Sequence, residues 1–302
     1  MKSIARVKDY CKHGYAMRRR WVRMYATDMS KTMMSRGQRL LGKVAIVTGG
    51  ASGIGEASCR VFVAQGARVI VADIQEHEGQ RVADELGPMA IFRRCDVTIE
   101  ADVASVIDQA MSEFGALHIL FNNAGVTDGG ENGASFANLD MQSYERVMDT
   151  NVRGTLHGIK HAARVMRTGS SIICSGSINS CVASGNNHVY TAAKHAIAGI
   201  VKTAALELGA GGVRVNAVSP SIVATPMVVK AIEKFATGAT VQDIERIAQR
   251  TENMPLQGFG ALTPHDVAQA ALFLASDESR FVSGHNLLLD GAFTSSRCFS
   301  FF

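Results

Sequence analysis

Apolar residues along the chain fall into short β-branched runs that alternate with longer stretches of helical period. Residues 43–48, Lys-Val-Ala-Ile-Val-Thr, are apolar on both faces, the pattern of a strand buried inside a parallel sheet. Further strands are predicted at 67–72, 89–97, 118–121, 170–174, 213–218 and 287–290. Between them the spacing predicts helices at 56–65, from near Gln75, and at 101–114, 141–166, 188–208 and 265–275. Strand alternating with helix is the order of an α/β fold with a parallel sheet. One segment, 221–260, breaks that rhythm. It is apolar at Ile222, Val223, Ala224, Pro226, Met227, Val228 and Val229, then amphipathic through Arg246. It reads either as a lid over a site or as a surface insertion packed on the body.

Composition narrows the class. A chain of 302 residues, 47% hydrophobic and 19% charged, buries a sizeable core and does not read as disordered. No apolar run approaches the roughly 20 residues of a membrane span. The six cysteines, Cys11, Cys59, Cys95, Cys174, Cys181 and Cys298, contain no CxxC pair, so a zinc site or disulfide framework is not expected and no metal is assigned. The net charge of +4 is uneven. Residues 1–40 carry 11 Lys and Arg against Asp9 and Asp28, a net +9, and the remainder carries 20 against 25, a net −5. The body is therefore not expected to bind nucleic acid. One folded domain is expected at 41–302, preceded by a basic extension at 1–40. The extension reads as an organelle transit peptide or as a disordered leader upstream of a later start, Met29 or Met34. The location is correspondingly cytoplasmic, or mitochondrial or plastid if the leader is a transit peptide.

The candidate chemistry sits where strands end. The first strand runs into Gly49-Gly50-Ala51-Ser52-Gly53-Ile54-Gly55 and then a helix, the first half of a dinucleotide-binding unit. Glycines let the backbone approach a pyrophosphate, and the helix N-terminus offers N–H groups to it. The spacing is TGxxxGxG through Thr48, Gly49, Gly53 and Gly55, not GxGxxG. The second strand ends in Asp73, 18 residues beyond Gly55. A carboxylate there can accept from both ribose hydroxyls and repel a 2′-phosphate, which predicts NAD over NADP; alternatively it caps the next helix. Its neighbours Ile74 and Gln75 supply no cation, and Ser52, which with Gly49, Gly53, Ile54 and Gly55 is expected to bind the cofactor, is neutral. Later strand ends bring Cys95-Asp96-Val97 and Asn122-Asn123-Ala124-Gly125, with Asn122 read equally as turn chemistry or as a site contact. In the helix at 188–208, Tyr190 and Lys194 leave the same face one turn apart, and an ammonium beside a phenol favours the phenolate, a general base.

Together Thr48-Gly49-x3-Gly53-x-Gly55, Asn122-Asn123-Ala124-Gly125, Asn151, Ser177 and Tyr190-x3-Lys194 resemble the classical short-chain dehydrogenases/reductases over residues 41–293. The stretches 188–196 and 282–287 look closest to a plant group of that family that includes secoisolariciresinol dehydrogenase and momilactone A synthase. The resemblance implies an α/β fold: a single Rossmann-type domain with a seven-stranded parallel sheet and helices on both faces. It implies NAD as cofactor and, as partner, a small apolar alcohol or ketone, here a bulky secondary alcohol of terpenoid, lignan or steroid kind. It implies that Tyr190 is the general base, that Lys194 binds the nicotinamide ribose and lowers the tyrosine pKa, and that Ser177 holds the reacting oxygen. Asn151 would interrupt its helix and anchor a water in a proton relay. Asp96 and Val97 would contact adenine, Asn123 the adenosine side, and Val223 and Thr225 the carboxamide. Ser221 stands after Pro220 where the family often has glycine, which leaves the carboxamide contacts open. The resemblance also implies a homo-oligomer, usually a tetramer, and gives no role to the tail 299–302. Two competing readings are a carbonyl reductase working in the reverse direction and a non-catalytic NAD-binding scaffold.

Overall fold

Seven runs of apolar, mostly β-branched residues pair into one all-parallel sheet in the computed structural model, which describes residues 37–127, 135–183, 187–233, 238, 240–250 and 253–296. The leader as far as residue 36, the loop at 128–133, parts of the 221–260 segment and the tail 299–302 lie outside the described residues. The chain divides between Arg39 and Leu40, and of the first unit only residues 37–39 are described. The second unit includes Leu40, which is fully buried and donates its N–H to the Gln65 carbonyl.

In chain order the second unit runs β1 (Val44–Thr48), α1 (Gly53–Ala64), β2 (Arg68–Asp73), α2 (Glu76–Leu86), β3 (Ala90–Arg94), α3 (Glu100–Phe114) and β4 (Ile119–Asn122). It continues with α4 (Met141–Met148), α5 (Gly154–Val165), β5 (Ser171–Ser175), α6 (His188–Gly209) and β6 (Arg214–Pro220). Last come α7 (Pro226–Glu233), α8 (Val241–Ala248), α9 (Pro264–Ala275) and β7 (Asn286–Leu289). The strand order is β3-β2-β1-β4-β5-β6-β7. Chain direction across the sheet reverses between β1 and β4, which opens a crevice at their carboxyl ends.

The alternation within each strand explains both layers. Ala45 and Val47 of β1, with Val69 and Val71 of β2, face α1, α2 and α9 through Phe62, Val82 and Leu272. Val44, Ile46, Ile70 and Ala72 face α3, α5 and α6 through Ile107, Ile159 and Ile197. Both faces of every central strand are thus out of water, as a parallel sheet requires. A smaller cluster of Val147, Val189 and Ala193 locks α4 to α6.

Two elements depart from the hydrophobic pattern for local reasons. The third strand stops at Arg94, because Asp96 turns the chain: its Oδ1 accepts from the Thr98 N–H (2.9 Å) and Oγ1 (2.7 Å), and Asp102 accepts the Asp96 N–H. The helix read from the pattern as continuous over 141–166 is interrupted by a π-helical turn, Asp149–Arg153, between α4 and α5, at the Asn151 where the resemblance implied an interruption. The 221–260 segment is described only in part. Its first residues line a cavity, and further along Ile244, Ala248 and Met254 are buried. Among the described residues no helix is long and apolar enough to cross a membrane.

Candidate active site

The carboxyl ends of β1, β2, β4, β5 and β6 and the start of α7 surround one cavity of about 500 Å³. Gly49, Ser52, Gly53, Ile54, Asp73, Asp96, Val97 and Asn123 line it, as do Ser177, Tyr190, Lys194, Val223 and Thr225. Gly55, Asn122 and Asn151, also singled out from the sequence, are not part of its lining.

The glycine loop is held from below. Thr48 Oγ1 accepts the N–H groups of Asn123 (3.0 Å) and Ala124 (3.1 Å). Asn123 Nδ2 donates to the carbonyls of Thr48 (2.9 Å) and Gly49 (3.2 Å). Gly49 has φ 65°, and a Cβ there would meet Ala124 Cα at 2.9 Å, so only glycine fits. A Cβ on Gly55 would lie 1.9 Å from the Gly49 carbonyl oxygen, so this glycine serves the approach of helix to loop and does not face the cavity. No side chain among the described residues caps α1 at Ser52, which leaves N–H groups of its first turn for an anion. A glycine-built cradle at a helix N-terminus fits a dinucleotide pyrophosphate.

Asp73 is buried and does two jobs. Its Oδ2 accepts the Ala51 N–H of the glycine loop (3.0 Å), and its Oδ1 accepts the N–H of Gln75 (3.0 Å), the residue before α2. The capping alternative is not met, because Gln75 is the N-cap residue of α2 and no side chain among the described residues caps it; the Asp73 carboxylate instead ties the glycine loop to the turn before α2 and lines the cavity. Asn122 meets neither expectation. It is buried at the end of β4, and its Nδ2 donates to the Thr155 carbonyl of α5 (3.4 Å), a strand-to-helix clamp away from the cavity.

Tyr190 and Lys194 stand in the first two turns of α6, with Lys194 Nζ 5.2 Å from the Tyr190 ring centroid. Lys194 is buried and donates to the Ser175 carbonyl at the end of β5 (2.7 Å). Among the described residues no carboxylate pairs with it, and burial pulls its pKa down to about 8. Beneath it burial pushes the Cys174 thiol up to about 12, which makes it an inert packing group. Ser177 begins the one-turn 3₁₀ helix Ile178–Ser180, its Oγ accepting the Asn179 N–H (3.2 Å). That bond leaves the Ser177 hydroxyl proton able to donate.

Asn151 sits inside the π turn, buried, with its carboxamide matched to one peptide unit: Oδ1 accepts the Val126 N–H and Nδ2 donates to the Val126 carbonyl, both at 2.8 Å. It thereby holds the loop after β4 against the cavity. A π turn inside a helix is a frequent mark of function, and 149–153 contain neither glycine nor proline to announce it. Sequence reasoning also passed over Val126 and Thr150, which line the cavity, and the supporting role of the Thr48 hydroxyl. A hydroxyl at the end of a strand entering a glycine loop was the available signal for Thr48.

The family model described as "Enoyl-(Acyl carrier protein) reductase" matches residues 49–294, which span the glycine loop, the cavity lining and the six strands after β1. The chain belongs to the short-chain dehydrogenase/reductase family. This short-chain dehydrogenase is similar to momilactone A synthase of Oryza sativa subsp. japonica, 46% identical over 87% of this chain and 93% of that protein. It is similar also to (+)-borneol dehydrogenase 2 of Salvia officinalis, 46% identical over 85% and 91% of the two chains. The mitochondrial borneol dehydrogenase of Lavandula x intermedia is 44% identical over 84% of this chain and 91% of its own. The protein is accordingly an oxidoreductase, a short-chain alcohol dehydrogenase that uses a nicotinamide cofactor.

Proposed function

We propose that this short-chain dehydrogenase oxidises a bulky apolar secondary alcohol with NAD, with Tyr190 as the general base. The observation that carries the reading is the convergence of Ser177, Tyr190 and Lys194 with Asp73 on one cavity. Asp73 ends β2 and Ser177 follows β5, three strand spacings away, about 14 Å at the usual separation and the scale of an extended dinucleotide. When bound, the nicotinamide ring supplies the hydride acceptor. Ser177 Oγ–H donates to the alcohol oxygen and fixes it beside Tyr190, whose phenolate takes the hydroxyl proton. The buried Lys194 ammonium favours that phenolate and offers N–H groups to the adjacent ribose. Asn151, whose amide is engaged by Val126, would reach a relay water only through its remaining N–H and lone pair.

NAD is preferred over NADP on charge. The Asp73 carboxylate repels a 2′-phosphate, and the cation facing it across the strands is neutralised: Arg94, in register with Asp73, is bonded to Glu76 (3.3 Å) and Asp102 (3.1 Å). The substrate end is apolar, with Val126, Val223, Met227 and Val228 on the wall. Borneol, for which two of the relatives are named, is such an alcohol. We read the 221–260 segment as a lid at its proximal end, the basic leader as a transit peptide or leader, and the assembly as a homo-oligomer.

A screen of terpenoid, lignan and steroid alcohols for NAD reduction, followed at the NADH absorbance, tests the activity. Faster turnover of a polar sugar alcohol would overturn the substrate class. Tyr190→Phe should abolish turnover while NAD still binds, and unchanged turnover refutes the base.

A further inference from the structure

Ser177 is held from behind by side chains that do not line the cavity. Ser180 donates its hydroxyl to the Ser177 carbonyl (2.6 Å), and Asn286 Nδ2, at the start of β7, donates to Ser180 Oγ (2.8 Å). Ser219 Oγ, fully buried near the end of β6, donates to Asn286 Oδ1. Asn286 Nδ2 also lies 3.5 Å from Cys181 Sγ, and the two hydroxyls of Ser180 and Ser219 are 3.5 Å apart. Each hydroxyl has one proton, and the order Ser219 to Asn286 to Ser180 to Ser177 uses every one once. On the other side Asn179 Nδ2 donates to Thr191 Oγ1 (3.3 Å), which ties the same turn to α6 next to Tyr190.

A turn of three residues does not hold its own geometry; its conformation comes from outside bonds. Here they come from residues 39 and 106 positions further along the chain than Ser180, on the two last strands of the sheet. We infer that Asn286 and Ser219 are positioning residues for the reaction, acting through Ser180 to keep the Ser177 hydroxyl against the reacting oxygen. The inference rests on the role proposed for Ser177 above. Neither residue reaches Asp73 or the glycine loop, so the chain of hydrogen bonds separates alcohol positioning from cofactor binding.

The test compares kcat, the alcohol KM, the NAD Kd by calorimetry and the melting temperature, with the fastest alcohol of the screen as probe. Asn286→Ala should lower kcat about 5- to 10-fold, the size of one lost neutral hydrogen bond, with NAD Kd unchanged. Asn286→Asp, which keeps Oδ1 but loses the donor to Ser180, should fall as far. Ser219→Ala removes one hydroxyl, is the milder change to the fold, and should lower kcat about 2- to 5-fold. In a Ser177→Ala background Asn286→Ala should cost less than about 2-fold more, because the group it positions is gone. Wild-type kcat in Asn286→Ala and Ser219→Ala overturns the inference, as does a kcat loss matched by weakened NAD binding or by the same full loss in the Ser177→Ala background. Ser177→Ala alone reads the underlying assignment: wild-type kcat there removes the role of Ser177 itself, whatever Asn286 does.

Discussion

Gly55→Ala is a one-methyl change that the structure places against backbone. The new Cβ would lie 1.9 Å from the Gly49 carbonyl oxygen and 2.6 Å from Asn123 Nδ2, where real Cβ contacts essentially never fall below 3.0 Å. The carbonyl must therefore retreat by at least 1.1 Å, from 1.9 to 3.0 Å. It has little freedom to do so, since Asn123 Nδ2 bridges it to the Thr48 carbonyl and Thr48 Oγ1 accepts the Asn123 and Ala124 N–H groups. Forcing a methyl into such packing costs about 1–3 kcal/mol. Alanine's better helix propensity returns up to about 1 kcal/mol, leaving a net loss of roughly 1–2 kcal/mol. In a body of this size that lowers the melting temperature by about 2–8 °C. A loop displaced by about 1 Å at the pyrophosphate should also weaken NAD binding on the order of 10-fold or more. Differential scanning fluorimetry and NAD titration calorimetry read the two effects. Gly199→Ala is the matched control, because Gly199 is exposed in α6 with nothing within 4 Å, and it should stabilise by about 0.5–1 kcal/mol. Gly55→Ala that melts with the wild type and binds NAD unchanged would refute the close approach of helix and loop.

Lys194 should make stability rise with pH. Its folded pKa of about 8 lies below the value near 10.4 of an unfolded lysine, so between them the unfolded chain holds more protons. Burial of the ammonium costs about 3 kcal/mol below pH 8 by this difference, and the cost fades as pH approaches 10.5. Lys194→Met, losing about 1 kcal/mol with its bond to Ser175, should melt above the wild type at pH 7 and lose that advantage by pH 10, in parallel thermal melts. A gap that does not narrow with pH contradicts the buried ammonium. Asn151→Asp sets a carboxylate oxygen against the Val126 carbonyl in a buried site and should destabilise by about 1–3 kcal/mol, read by denaturant titration; a neutral change would show that the pincer on Val126 is dispensable. Asp73→Ala removes the 2′-phosphate repulsion, so the ratio of kcat/KM for NAD over NADP should fall at least about 10-fold, and an unchanged ratio removes Asp73 from cofactor choice.

The strands were legible in the chain because a parallel sheet buries both faces, and β-branched runs have few other uses in water. The glycine loop, the Asp73 position and the four-residue spacing of Tyr190 and Lys194 were legible for a similar reason: each is local, with the partners of its geometry a few residues apart. Gathering Ser177 and Tyr190 at one site needed the family pattern as well, since nothing in the 12 intervening residues says that the chain returns.

Tertiary structure decided the rest. Gly55 turned toward the Gly49 carbonyl, Asn122 toward α5, and Asn151 toward Val126, because the atoms that complete them belong to other elements. Arg94 meets Asp73 only through the pairing of β2 with β3. Ser177 meets its support from Ser219 and Asn286 only after β5, β6 and β7 lie side by side. Local pattern determined which elements form and which residues can do chemistry; packing decided which of them face the cavity, because a hydrogen bond between distant residues is written in the fold and not in their spacing.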